Sequence, residues 1–253
     1  MKAPLAVTVT AKQPGRYVVR AREKAAEWGV PFFEREKKSA VELLFENAEA
    51  LLVLGGDGWT LTDPLGELRC TPGMAAVRIK RLQRDPDAAD DGLLRFAELQ
   101  PGDSVFDGTL GLGTDALVCA YRVGPSGRVI GCEASLPLFA LVSEGLRGKI
   151  DVRRGRTIEL LKTFESSSID VITLDPMFDV PRASSPAFEI LRRYAVHEPL
   201  ELETLNEARR VAKRWVIVKA GRFGKELARL GLKAERDIRR SSPLLWARAA
   251  PSK

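Results

Sequence analysis

Four short apolar runs and one more polar run, all with β-branched residues, recur between residues 104 and 221: SVFD, RVIGCE, IDVITL and RWVIVKAG, with the charged IDVRR between the second and third. Helix-patterned segments separate them, namely TDALVCAYRVG, PLFALVSEGLR, TIELLKTF and a longer stretch over 187–213. Strands that are apolar along their whole length, alternating with helices, predict a mostly parallel sheet with helices on both faces. Ligands in such sheets bind beyond the C-terminal strand ends, near the point where strand order reverses. Chemistry is therefore sought in the turns that follow the strands.

The remaining sequence predicts a smaller α/β region over residues 1–84. LAVTVT, VPFFERE and ALLVLGG read as strand-like, and RYVVRAREKAAEWG reads as a helix. In SAVELLFENA, Val41, Leu44, Phe45 and Ala48 recur at helical spacing, with Ser39 as N-cap. GWTLTDPLGELRC resembles two strands around a D-P-L-G turn, and MAAVRIKRL fits a helix or a strand. The acidic run RDPDAADDG, residues 84–92, is the expected linker to a second domain over 91–253.

Composition narrows the function classes. Three cysteines without C-x-x-C spacing suggest neither a disulfide framework nor a zinc site, and the lone His197 leaves little material for a His-based site or a Ser-His-Asp arrangement. No metal is expected. No apolar run is long enough to span a membrane, and the start lacks a signal-peptide pattern, so the expected location is cytoplasmic. A net charge of +6 favours an anionic partner such as nucleic acid, or describes an ordinary solvated surface. Basic residues interleave with Trp215 and Phe223 from Arg209 onward. Lys12, Arg16, Arg20, Arg22, Lys24, Lys37 and Lys38 give the N-terminal region basic faces, suited to RNA docking or to a plain cap.

The turn after SVFD reads FDGTLGLGTDAL. Gly108, Gly111 and Gly113 permit a sharp bend and close ligand approach at a helix N-terminus, or only a tight strand-to-helix turn. From Gly111 the run matches G-x-G-x-x-A, which also occurs at nicotinamide dinucleotide sites. Glu133 ends the next strand, where a carboxylate takes ribose hydroxyls, and such a ribose belongs to both nicotinamide nucleotides and S-adenosylmethionine (SAM). Asp107 and Asp115 separate the two ligands. Carboxylates beside the glycines suit the ammonium and sulfonium of SAM and would repel a pyrophosphate.

In LDPMF, residues 174–178, the Asp175 carboxylate and the Pro176 carbonyl can accept both N–H groups of an exocyclic amine, and Phe178 can stack on a base. Alone, the same residues also describe a D-P turn with a core phenylalanine.

Taken in order, FDGTLGLGTDALVCA, GCEAS, ITLDPMFD and RWVIVKAG resemble the class I SAM-dependent methyltransferases. More narrowly, they resemble the bacterial small-subunit ribosomal RNA guanine-N2 methyltransferase family over about residues 90–222. The resemblance implies a Rossmann-like methyltransferase domain, SAM as cofactor and RNA as substrate. It further implies cofactor contacts at Thr114 and Asp115 in the loop, at Glu133 and Ala134, at Arg156 and Thr157, and at Asp175, while Thr109, Gly111 and Gly113 of the same loop are also expected to bind the cofactor. Its V-K-R-P strand end is VKAG here, at 218–221. Three other functions compete: an amine methyltransferase for adenine N6, a small molecule or a protein; an NAD-dependent oxidoreductase; and a non-catalytic RNA-binding module.

Overall fold

A computed structural model describes residues 2–84, 91–176, 185–236 and 244–252. The chain forms two compact units, one of residues 1–71, 135–146 and 181–195, the other of 72–134, 147–180 and 196–253. Within the expected 84–92 linker, residues 85–90 lie outside the described residues, and residues 72–84 belong to the second unit.

The first unit starts with β1 (Ala6–Val9), α1 (Val18–Trp28), α2 (Ala40–Asn47), β2 (Leu51–Gly55), β3 (Gly58–Asp63) and β4 (Gly66–Arg69). Its sheet has the order β1-β2-β3-β4, with β1 and β2 parallel and the other pairs antiparallel. The D-P-L-G turn joins β3 to β4 as expected, and Asp63 secures it by accepting the Leu65 N–H at 2.7 Å. Ser39 does cap α2, in a capping box with Glu42. The buried face of α2 is Leu43, Leu44 and Ala48, while Val41 and Phe45 are exposed, so the expected apolar stripe is rotated by about a third of a turn. VPFFERE forms no strand. Phe32 makes a single bridge to Val7, and Pro31, which has no N–H, cannot extend a ladder there.

Most of the basic residues singled out in this unit are committed to structural pairs. Glu144, whose side chain is 2% exposed, holds Arg20 at 2.6 Å and Lys24 at 3.1 Å and accepts the Trp59 indole N–H at 3.3 Å. Arg22 pairs with Glu34, and Lys38 with Glu46.

The second unit contributes α3 (Gly73–Arg84), α4 (Gly92–Ala97), β5 (Ser104–Asp107), α5 (Thr114–Val123) and β6 (Arg128–Glu133). Helix α6 (Leu136–Gly145) then belongs to the first unit, where it packs on β3. Next come β7 (Asp151–Arg154), α7 (Thr157–Thr163) and β8 (Ile169–Leu174), before α8 (Pro186–Tyr194) returns to the first unit and packs on β4. The second unit ends with α9 (Leu202–Val211), β9 (Ala212–Ala220), α10 (Lys225–Arg229), β10 (Glu235–Arg236) and β11 (Leu245–Ala249). The stretch 187–213 is thus two helices, not one. Pro199 has no N–H to donate to the residue four back, which stops a helix from continuing through 195–201.

Its seven-stranded sheet has the order β10-β11-β9-β8-β5-β6-β7, parallel from β9 to β7 and antiparallel at β11 and β10. Phe106, Ile130, Ile172, Val216 and Val218 fill a core in which each fully buried aliphatic or aromatic side chain contributes about 1.5–3 kcal/mol. The strand order reverses at β5, which is flanked by β6 and β8 in an otherwise parallel stretch of sheet. The ends of β5 and β8 therefore open the crevice in which α/β sheets hold ligands.

Candidate active site

The loop after β5 is held to its neighbours before any ligand is considered. Gly108 N–H donates to the Thr173 carbonyl at 3.0 Å, Leu110 N–H to the Cys132 carbonyl at 3.1 Å and Gly113 N–H to the Leu110 carbonyl at 2.8 Å. The Thr157 hydroxyl, at the start of α7, donates to the Gly108 carbonyl. At Gly108 a Cβ would stand 2.6 Å from Thr157 and 2.7 Å from Leu174, so only glycine lets the loop lie this close to β8 and α7. Gly111 and Gly113 have φ of 52° and 73°, in the left-handed region that favours glycine, and Gly113 caps α5.

Carboxylates gather around that loop. Asp107 ends β5, is buried, and accepts the Thr109 N–H at 3.1 Å. Thr109 in turn accepts the Asp175 backbone N–H through its hydroxyl at 2.6 Å, which places Asp175 and Pro176 next to the loop. Asp115 lies in the first turn of α5, beside Thr114, and the buried Glu133 ends β6, beside Ala134. Arg156 caps α7, but its guanidinium turns outward to Glu198. Phe178 lies outside the described residues.

Two cations that residue pattern alone did not assign complete the cluster. Leu174 is registered with Val218 in the parallel β8–β9 pair, so Lys219 emerges level with Asp175. Its ammonium pairs with Asp175 and lies 3.4 Å from Asp115. Arg78, from α3, holds Asp91 with two bonds of 2.7 and 2.9 Å and pairs with Asp115 through a third nitrogen. The register of two recognisable strand ends could have flagged Lys219, whereas no local pattern marks Arg78.

The electrostatics follow from burial and neighbours. Asp107 is pushed up to about 7 by burial, helped by the charges of Asp115 and Asp175. Burial alone would raise Asp115 too, but Lys219 and Arg78 outweigh it and hold that carboxyl below its ordinary value. Asp91, Asp115 and Asp175 thus pair with Arg78 and Lys219, Asp107 lies buried beside them and Glu133 ends the neighbouring strand, so carboxylates outnumber cations at the end of a tightly packed glycine loop. That excess of negative charge favours a cationic ligand over a pyrophosphate. Among the described residues there is no group of three or more His, Cys, Asp or Glu arranged to hold a metal ion, and no helix long and apolar enough to cross a membrane.

Comparison with known proteins agrees with this geometry. The chain is 31% identical over 225 residues to the uncharacterized protein YpiP of Bacillus subtilis, covering 83% of this chain and 86% of that one. The chain belongs to the YpiP family. It is also 31% identical over 183 residues to ribosomal RNA small subunit methyltransferase J of Pseudomonas syringae pv. syringae, a match spanning 63% of this chain and 62% of that enzyme. A SAM-dependent methyltransferase from Neisseria gonorrhoeae superposes with a TM-score of 0.62 at 20% identity, covering 97% of this chain and 96% of its own, and shares the fold. No protein-family model matches. The fold is Rossmann-like, shared with that SAM-dependent methyltransferase.

Proposed function

We propose that the protein methylates an exocyclic amine of a base in RNA, with guanine N2 of small-subunit ribosomal RNA as the leading acceptor. The observation that carries this reading is Asp175 followed by Pro176 at the end of β8, fastened to the cofactor loop through the Thr109 hydroxyl. A carboxylate and an adjacent carbonyl accept the two N–H groups of a planar amine and leave its lone pair facing the cofactor side. The likeness to ribosomal RNA small subunit methyltransferase J and the net charge of +6 support RNA as the substrate. A cytoplasmic location accords with that substrate.

SAM, when bound, supplies a methyl group already activated on a sulfonium. The chain's own contribution is to hold and orient. Asp107 and Asp115 attract the cationic end of the cofactor, Glu133 takes its ribose hydroxyls, and the backbone from Thr109 to Thr114 closes over it. Ala134, Arg156 and Thr157 border the same space. Asp175 balances the positive charge that the acceptor nitrogen develops during transfer. Orientation can contribute about 7–11 kcal/mol, against about 3–4 for one such polar contact, so positioning dominates.

Mass-spectrometric mapping of methylated nucleosides in ribosomal RNA from cells with and without the gene tests the acceptor. Loss of one N2-methylguanosine supports the proposal, and an unchanged nucleoside map with SAM turnover on another amine overturns it.

Two further outcomes are expected. Glu133→Ala weakens SAM binding about ten- to a hundredfold by calorimetry, since a hydrogen bond to a charged group contributes about 1.5–3 kcal/mol. An unchanged dissociation constant would remove Glu133 from the site. SAM affinity also rises with pH between about 6 and 8 and levels off above, because the cation requires Asp107 ionised and that carboxyl titrates at about 7. The ligand-free protein changes the other way. Asp107 keeps its proton in the fold above its ordinary value of 3.8, so its contribution to stability falls as pH rises from there to about 7. Asp107→Asn flattens both profiles; a variant with the wild-type slope would assign the titration elsewhere.

A further inference from the structure

Lys219 occupies an unusual position for a cation in a site built for cations. Its ammonium is shared between Asp175, on the acceptor side, and Asp115, on the cofactor side, and it lies 5.6 Å from the centre of the Trp246 ring. Trp246 is itself stacked on Phe96 at 5.5 Å, and the Lys219 side chain is only 18% exposed, so the side chain has a walled path to the two carboxylates. The pairing uses Oδ2 of Asp175, and among the described residues no hydrogen bond to Oδ1 is seen.

We propose that Lys219 is a positioning residue that turns Asp175 and keeps it ionised for its contact with the acceptor amine. The inference rests on Asp175 being the amine acceptor, as proposed above. Burial, with the charge of Asp115, holds Asp175 above its ordinary value even against the opposing Lys219, and a protonated carboxyl cannot accept two N–H bonds or balance charge on nitrogen. Lys219, Asp115, Arg78 and Asp107 all act on Asp175, and Arg78 is committed to Asp91 and Asp115. Lys219 is the cation in direct contact. Trp246 and Asp115 fix where the ammonium sits, and through it which oxygen of Asp175 remains available.

The sign of the cofactor effect separates this role from a merely structural one. Removing a positive charge from the cluster leaves it more negative, so Lys219→Met should bind SAM as tightly as the wild type or more tightly. Turnover on ribosomal subunits should nevertheless fall at least about tenfold, and the acid limb of kcat against pH should move up by about one unit. Lys219→Arg, which retains the charge, should bring the limb back toward the wild type. Carbon-13 NMR titration of the Asp175 carboxyl, assigned with Asp175→Asn, reads the same shift in the full chain without any acceptor. An Asp175 titration that is unmoved in Lys219→Met overturns the proposal. So does a variant that loses SAM affinity and thermal stability together with activity at an unshifted limb. If the wild type methylates no RNA while the carboxyl titration moves as expected, the RNA reading fails and the role of Lys219 stands.

Discussion

Asp175→Ala lowers methyl transfer by about a hundred- to a thousandfold while the fold and the cofactor loop persist, the scale found when one preorganised polar group is removed from an active site. The structure separates the side chain from its backbone. The backbone N–H of residue 175 still reaches the Thr109 hydroxyl when the residue is alanine, so the loop keeps its anchor at the end of β8. What disappears is the proposed acceptor for the amine and one of the two carboxylate partners of Lys219. Single-turnover transfer from labelled SAM to small ribosomal subunits measures the loss, with circular dichroism and SAM calorimetry as controls. Transfer within tenfold of the wild type would show that the amine is held elsewhere.

The second large effect is on stability. Arg78 joins three elements by bridging Asp91, the N-cap of α4, to Asp115 in α5 from its place on α3. All three side chains are at most 18% exposed. Removing one partner from a buried ionic cluster strands the others without solvation, and Arg78→Ala is expected to cost about 3–5 kcal/mol. For a chain of this size that corresponds to a Tm lower by about 10 °C, measured by calorimetry. Asp91 still caps α4 through the Leu94 N–H, so the helix survives and its attachment is lost. A loss below about 1 kcal/mol would mean that the cluster is solvated and its members act singly. Two negative charges released beside the loop should also strengthen SAM binding, in contrast with the loss expected of a damaged site.

The parts of the site that could be read directly are those whose chemistry is contiguous. Asp107, the three glycines and Asp115 lie within one loop, Glu133 ends a strand, and Asp175 with Pro176 follows another; a strand-to-helix pattern puts strand ends together at one edge of a parallel sheet. Charge distribution was less legible. From Arg209 onward the basic residues suggested a nucleic-acid face, yet Arg209 bonds the Ala250 carbonyl, Arg210 the carbonyls of Leu161 and Phe164, and Arg214 pairs with Asp103. Trp215 donates to Glu98 and lies under the Arg248 guanidinium. A basic residue looks the same in a sequence whether it meets solvent, a phosphate or a carbonyl brought from far along the chain.

Period, turn chemistry and carboxylate placement, which are local properties, therefore sufficed for the alternating fold and the glycine loop, and they are what favour a cationic cofactor over a dinucleotide in the proposed reading. Which helices join which unit, the break at Pro199, the buried face of α2 and the cations that complete the site were decided only by tertiary packing. Arg78 and Lys219 show why: each meets an aspartate distant in sequence, and the energy of such a pair depends on burial and register, which exist only once the strands and helices have assembled.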